Sequence, residues 1–249
     1  MKKLLVRADD LGYCEAVNYG IERAVKHGII RTVGLLPNME SAEHGVSLLS
    51  GLDICYGQHT NICNGRPLTD PKKIPSLVQS SGEFKAAREY RQAKEDFVVL
   101  EEAVLEIEAQ YQRFVSLTHQ KPHYLEAHAV PSKNFEKGLQ MVAQMHGVPY
   151  LELAFGRPVH FRNSDVFVSM DSMFPNYDPF ESLKKAALRE VGPHECVAVV
   201  CHPGYVDDYV LKTSMMTTQR AEETAMLTAE ETRNWLSENG ISIVTYDDL

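Results

Sequence analysis

The chain has 249 residues and carries 25 Lys plus Arg against 34 Asp plus Glu, a net charge of −9. That balance excludes a basic face of the kind that binds nucleic acid or an anionic membrane. With 44% hydrophobic and 24% charged residues, the composition is that of a folded globular chain. The longest apolar run, 196–201, falls far short of the ~20 residues that cross a bilayer. The first residues start like a leader, but Arg7, Asp9 and Asp10 interrupt it. Five cysteines with no C-x-x-C pair read as reduced thiols of a cytoplasmic protein.

Short apolar runs alternate with helical patterns. A strand at 4–6 leads into a helix over 15–27, where Val17, Ile21, Ala24 and Val25 keep helical spacing and Gly28 stands at C′. Strands at 32–36 and 53–58 follow. The segment 83–117 reads as a long helix broken near its start. Phe97, Leu100, Val104, Ile107, Tyr111 and Phe114 form its apolar stripe, and Pro122 lies beyond its end. Further strands are expected at 123–127, 149–154, 166–169, 195–201 and 241–246. Asp178-Pro179-Phe180-Glu181 combines an N-cap, an N1 proline and an N3 glutamate, and Thr228-Ala229-Glu230-Glu231 is a capping box for a helix ending at Gly240. Eight strands alternating with helices, undivided by any linker or repeat, predict one α/β domain over 1–249, a distorted (β/α) TIM-like barrel. The irregular stretches 60–82 and 155–177 are expected as active-site loops.

Four polar features fall at the carboxyl ends of expected strands: Asp9-Asp10, His59, His128 and His202. In parallel α/β architectures those ends form one face, where active sites lie. Singly, each has a plain reading: an N-cap with a solvated neighbour, a structural histidine, or a Pro-Gly turn. Jointly they bring two carboxylates and three imidazoles to one mouth. The other histidines lie at helix ends, at turns, in a long loop or at the opposite end of the barrel. A Cys201/His202 nucleophile pair is disfavoured, because adjacent strand residues point to opposite faces. One carboxylate and two imidazoles make an open divalent-cation site. A second carboxylate can accept a proton from water, and a histidine across the site can protonate a leaving group. That assembly suits hydrolysis of an amide or ester without a covalent intermediate. The 61–68 segment should line the site, with Asn61, Asn64 and Arg66 as candidate hydroxyl or acetamide contacts. The alternative is a rigid turn built by Gly65 and Pro67, with Arg66 in solvent.

Arg7-Ala8-Asp9-Asp10-Leu11-Gly12, followed by Val17-Asn18-Tyr19-Gly20-Ile21, resembles the opening motif of the YdjC-like carbohydrate deacetylases. The resemblance continues through Gly57-Gln58-His59-Thr60-Asn61, Gly65-Arg66-Pro67-Leu68, His202-Pro203-Gly204-Tyr205, Arg220-Ala221-Glu222-Glu223 and Gly240-Ile241-Ser242-Ile243. It implies a distorted (β/α) barrel acting on chitooligosaccharides, commonly with magnesium and often as a homodimer. By position it implies Asp10, His59 and His128 as metal ligands, Asp9 as base and His202 as acid. The family pattern has an Asp two residues before the third ligand and a His two residues after it; here those places hold Glu126 and Val130.

The resulting expectation is a metal-dependent hydrolase that removes acetyl groups from N-acetylated amino sugars or short chitooligosaccharides. The resemblance favours magnesium, while two imidazoles would suit zinc. Its partners are a small carbohydrate and a second copy of itself, with no nucleic acid and no membrane. Another metal-dependent barrel hydrolase, a sugar isomerase and a non-catalytic carbohydrate-binding protein are the alternatives.

Overall fold

The strand β1 (Lys2–Leu11) is the axis of the sheet, and its two edges are used differently. On one edge it pairs with β7 (Glu195–Cys201) from Leu4 to Ala8. The other edge is shared: β8 (Ile241–Val244) takes Lys2 to Leu5, and β2 (Thr32–Leu35) takes the stretch from Arg7 onward. Outward from β2 come β3 (Cys55–Thr60) and β4 (Tyr124–Ala127), all parallel. Outward from β7 come β6 (Ser164–Ser169) and β5 (Val159–Phe161), the last pair antiparallel. The computed structural model describes residues 2–249.

The sheet curls into a half-barrel rather than closing by hydrogen bonds. Edge strands β4 and β5 are not paired with each other. Aromatic side chains fill the gap instead: Tyr124 and Phe161 have ring centroids 6.4 Å apart, and Tyr246 packs edge-on against both. Gly57 has to be glycine in this interior, since a Cβ there would stand 2.1 Å from the Tyr124 ring.

Helices cover the outside: α1 (Glu15–Lys26), α2 (Ala42–Leu48), α3 (Ala87–Gln92), α4 (Leu100–Thr118), α5 (Lys133–His146), α6 (Pro179–Leu188), α7 (Asp208–Thr213), α8 (Thr218–Thr228) and α9 (Glu230–Glu238). Their formation follows the sequence cues in most places. Asp178 caps α6 by accepting from Phe180 N and Glu181 N. The break expected in 83–117 lies between α3 and α4, and Ile107, Tyr111 and Phe114 of the apolar stripe are buried. No helix among the described residues is long and apolar enough to cross a membrane.

Three expectations fail locally. The 149–154 run is not a strand: it touches β4 through one bridge, Leu125–Tyr150, and then leaves the sheet. The stretch 155–177 is not a plain loop, because β5 turns into β6 through Arg162 at a positive φ of 54°. The capping box at 228–231 does not form either. Thr228 ends α8 and donates its hydroxyl to Thr224 O, so α9 begins from Ala229 without a side-chain cap.

Candidate active site

Strand alternation decides which side chains enter the barrel. Leu5, Cys55, Tyr124, Cys196 and Ala198 pack in the interior, whereas Leu4, Val6, Ala8, Val197, Val199 and Cys201 pack under the outer helices. The inward parity carries Arg7 and Asp9 on β1, His59 on β3, Glu126 on β4 and His202 just beyond β7. Cys201 has the outward parity, and burial pushes its thiol up, so it offers no thiolate beside His202.

Asp10 has the wrong parity for the mouth, and a bulge corrects it. The β1–β2 register slips between Ala8 and Leu11, and Asp10 sits at φ +75°. A non-glycine residue held there stores about 1–3 kcal/mol of strain, and aspartate tolerates the left-handed region better than most. Arg220 on α8 holds the turned side chain, donating from Nη2 to Asp10 Oδ2 at 2.7 Å. The two neighbouring aspartates therefore face the same cavity. Each has one oxygen held by an arginine, since Arg7 Nη2 donates to Asp9 Oδ2 at 2.8 Å. Each also has one buried oxygen, Oδ1, with no hydrogen-bond partner.

Asp10 Oδ1 lies 3.5 Å from His128 Nδ1 and 3.8 Å from His59 Nε2, and those two nitrogens are 2.9 Å apart. Donors bonded to one cation at about 2.1 Å would be spaced by similar distances. The unpartnered oxygen and the mixed N/O donor set fit a divalent cation. Behind the donors, Glu126 Oε1 lies 3.1 Å from His59 Nδ1, and Asn64 Nδ2 lies 3.0 Å from His128 Nε2. A carboxylate or amide on the far ring nitrogen is how proteins orient imidazole ligands. His202 stands across the mouth, nine-tenths buried, and its Nδ1 has no hydrogen-bond partner.

Charge and burial compete here. Burial opposes ionisation of Asp10, but Arg220 and the three imidazoles outweigh it and hold its carboxyl far below the usual range. Burial lowers His59, yet Asp9, Glu126 and Asp10 raise it to about 9. His128, buried beside His59, is pushed down to about 3, and burial also lowers His202. Behind His202, Glu223 of α8 accepts from the His202 backbone N–H at 2.5 Å and from the Tyr177 hydroxyl at 2.8 Å. Its burial raises it to about 7. Gly20 of α1 lets the 202–205 turn approach, because a Cβ there would come within 2.3 Å of Gly204 Cα.

The 61–69 loop is built from below. Glu106 on α4 accepts from Leu68 N and Thr69 N, and Gln110 holds the Asn61 backbone at both N and O. Asn61, expected as a sugar contact, is fully buried. It donates to Asn38 Oδ1 and Asn64 O and accepts from Cys63 N and Asn64 N. Its side chain shapes the loop and is not free to meet a ligand. Asn64 reaches the mouth through His128. The Arg66 side chain is exposed, with Glu83 at 4.0 Å.

The structure thus draws Asp9, Asp10, His59, His128 and His202 into one mouth and leaves Asn61 inside its own loop. Sequence reasoning met Arg7, Arg220 and Glu223 only inside motifs, with no role assigned, met Glu126 only as a departure from a pattern, and did not meet Tyr177. Arg7 left a signal, a charge two residues before Asp9 inside an apolar strand. Arg220 and Glu223 left one too, an i, i+3 pair that shares a helix face.

Fold and mouth together define the class, a half-open α/β barrel with a candidate divalent-cation site at the carboxyl ends of its strands. A solved structure from Enterococcus faecalis V583, a candidate cellobiose-phosphate cleavage protein, matches with a TM-score of 0.81 at 21% identity, covering 99% of this chain and 98% of that one. A family 4 acetyl xylan esterase from Clostridium thermocellum, in complex with a cobalt ion, shares the fold at a TM-score of 0.51 and 10% identity, covering 99% and 89% of the two chains. The sequence model of the YdjC-like protein family matches residues 3–238, and the chain belongs to that family. A carbohydrate deacetylase from Geobacillus stearothermophilus is 30% identical over 253 residues, 98% of this chain and 97% of the relative.

Proposed function

We propose that this chain is a divalent-metal-dependent carbohydrate deacetylase that hydrolyses the acetamide of N-acetylated amino sugars or short chitooligosaccharides, working as one catalytic domain. One observation carries the reading. Two adjacent buried aspartates each keep an arginine-held oxygen and an unpartnered oxygen, facing two imidazoles on one side and a third across the mouth. The curated relatives being carbohydrate deacetylases supports the substrate class.

Asp10, His59 and His128 would hold the cation, which supplies Lewis acidity towards an amide oxygen and a lowered pKa for water. Asp9 does separate work. Arg7 fixes its Oδ2, and its free Oδ1 accepts a proton from the attacking water. The water oxygen bonds to the acetyl carbon and the carbon–nitrogen bond breaks. His202, with Nδ1 free of any protein partner, delivers a proton to the departing sugar amine. Acetate and a free amino sugar result. Asn64, beside His128, and Arg66, exposed further along the same loop, are the candidate contacts to sugar hydroxyls, while Asn61 supports the loop from inside.

Magnesium is the favoured ion through the family resemblance, and zinc suits the two imidazoles. A cytoplasmic homodimer completes the proposal, and sedimentation of the purified protein tests the dimer. The activity is tested by incubating metal-loaded protein with N-acetylated mono- and disaccharides and measuring acetate and free amine. Equal amounts of both are expected. Isomerised sugar without acetate, or tight sugar binding without turnover, would overturn the reading.

A further inference from the structure

Below the mouth, the Arg7 that fixes Asp9 and the Glu126 behind His59 also meet each other. Arg7 on β1 and Glu126 on β4 are both fully buried. In the sheet their strands are separated by β2 and β3, so the pair crosses the barrel interior. Arg7 Nη1 contacts Glu126 Oε2 and also donates to the Tyr246 hydroxyl at 3.3 Å, while Nη2 donates to Asp9 Oδ2 at 2.8 Å. The other oxygen of Glu126 lies 3.1 Å from His59 Nδ1. Space for this bridge comes from a missing side chain: a Cβ on Gly34 would come 2.9 Å from Asp9 Oδ1 and 3.2 Å from His59 Cβ.

Taking two charges out of water is costly, and an apolar pair of similar volume would serve packing at least as well. The arrangement does something that packing does not. A carboxylate 3.1 Å from Nδ1 fixes the plane of the imidazole and aims Nε2 at the side of Asp10 and His128. A planar guanidinium offers two donors in a fixed fork, so it can hold two carboxylates at a set separation.

We propose that Arg7 and Glu126 are positioning residues that act as a single cross-barrel brace, setting the direction of His59 Nε2 and of the Asp9 carboxylate together. This rests on the metal-dependent reading above. The brace explains how a glutamate serves where the family pattern carries aspartate: the longer side chain reaches both His59 and the Arg7 fork. Asp9 and His59 are thereby coupled, so loss of either brace residue disturbs both.

The test uses Mn²⁺ and Co²⁺ as probes on the full-length protein. Glu126→Gln keeps the volume and removes the charge. Mn²⁺ affinity, followed by electron paramagnetic resonance, should weaken about 10-fold, within the range for an outer partner of a metal ligand. The visible Co²⁺ spectrum should change while circular dichroism stays that of the wild type. Glu126→Ala, where it folds, should weaken Mn²⁺ about 100-fold. Arg7→Lys keeps the charge but loses the fork, and should lower both Mn²⁺ affinity and kcat. Wild-type Mn²⁺ affinity and an unchanged Co²⁺ spectrum in folded Glu126→Gln would overturn the brace while leaving the metal site standing. Wild-type protein that binds neither ion would overturn the metal reading, and the brace with it.

Discussion

Among the described residues, metal-ligand residue types gather at both ends of the barrel, with a further mouth group, Asp9, His59 and Glu126, that shares His59 and is bridged by Arg7. At the mouth stand Asp10, His59 and His128; at the other end stand Cys55, His123 and Asp247. The lower cluster is fully occupied with itself. His123 Nδ1 is 2.5 Å from Asp247 Oδ2, and Asp247 Oδ1 accepts from Arg162 Nη2 at 2.8 Å. Burial, with Asp247 beside it, pushes the Cys55 thiol up to about 12, so it is no thiolate. At the mouth the reverse holds: oxygens are buried with one lone pair satisfied by an arginine and the other left open. Residue type and proximity are common to both ends. What separates them is an unsatisfied, rigidly aimed lone pair, which is expensive to bury and is repaid when a ligand arrives.

The comparison breaks first at Asp10. Asp10→Ala should weaken Mn²⁺ binding by more than ~100-fold, beyond what an outer partner costs, and abolish acetate release. Chelation should do the same to the wild-type protein, and added divalent cation should restore it. Full turnover after verified metal removal would erase the distinction between the two ends.

Asp9 and His202 come next. Asp9→Asn and His202→Ala should each lower kcat about 10²–10⁴-fold, the usual loss for a general base or acid, with Mn²⁺ still bound. Loss of the base should remove the acidic limb of the pH profile, and loss of the acid the alkaline limb. A variant that instead loses its metal identifies that residue as a ligand.

Glu223 gives a smaller, pH-dependent effect. Its folded pKa is raised to about 7 from an ordinary value of 4.5. The folded state therefore holds the proton more tightly. The stability this gives is fully present below pH 4.5 and is lost as the pH rises through 7. Glu223→Gln lacks this dependence, so its melting temperature relative to wild type should rise by a few degrees between pH 5 and pH 8. A parallel pair of melting curves across that range would contradict the assignment.

The smallest effect is expected at the lower cluster. His123→Ala and Cys55→Ser should leave Mn²⁺ stoichiometry unchanged and kcat within about two-fold. The His123–Asp247 pair is partly exposed and screened, so its loss should cost only about 0–1 kcal/mol. A second equivalent of metal lost on His123→Ala would make the two ends alike after all.

Much of this was legible before any coordinates. Strand-end placement brought Asp9, Asp10, His59, His128 and His202 to one face, because the carboxyl ends of parallel strands share one side of the sheet. Asp178-Pro179 announced α6, since a helix cap is made within four residues. The 149–154 run, by contrast, has the composition of a strand and no partner to pair with beyond one bridge. Thr228 could cap α9 by its position, but its hydroxyl is already spent on α8.

The same division runs through the site. Chemistry-bearing residue types and their order along the chain are local facts, and the sequence by itself determined them. The inward turn of Asp10, the spans of Arg7 to Glu126 and Arg220 to Asp10, and the sealing of Asn61 were decided only by the tertiary structure. A bulge is defined by the register of the neighbouring strand, and a buried charge keeps its form only against partners that lie up to 210 residues away along the chain.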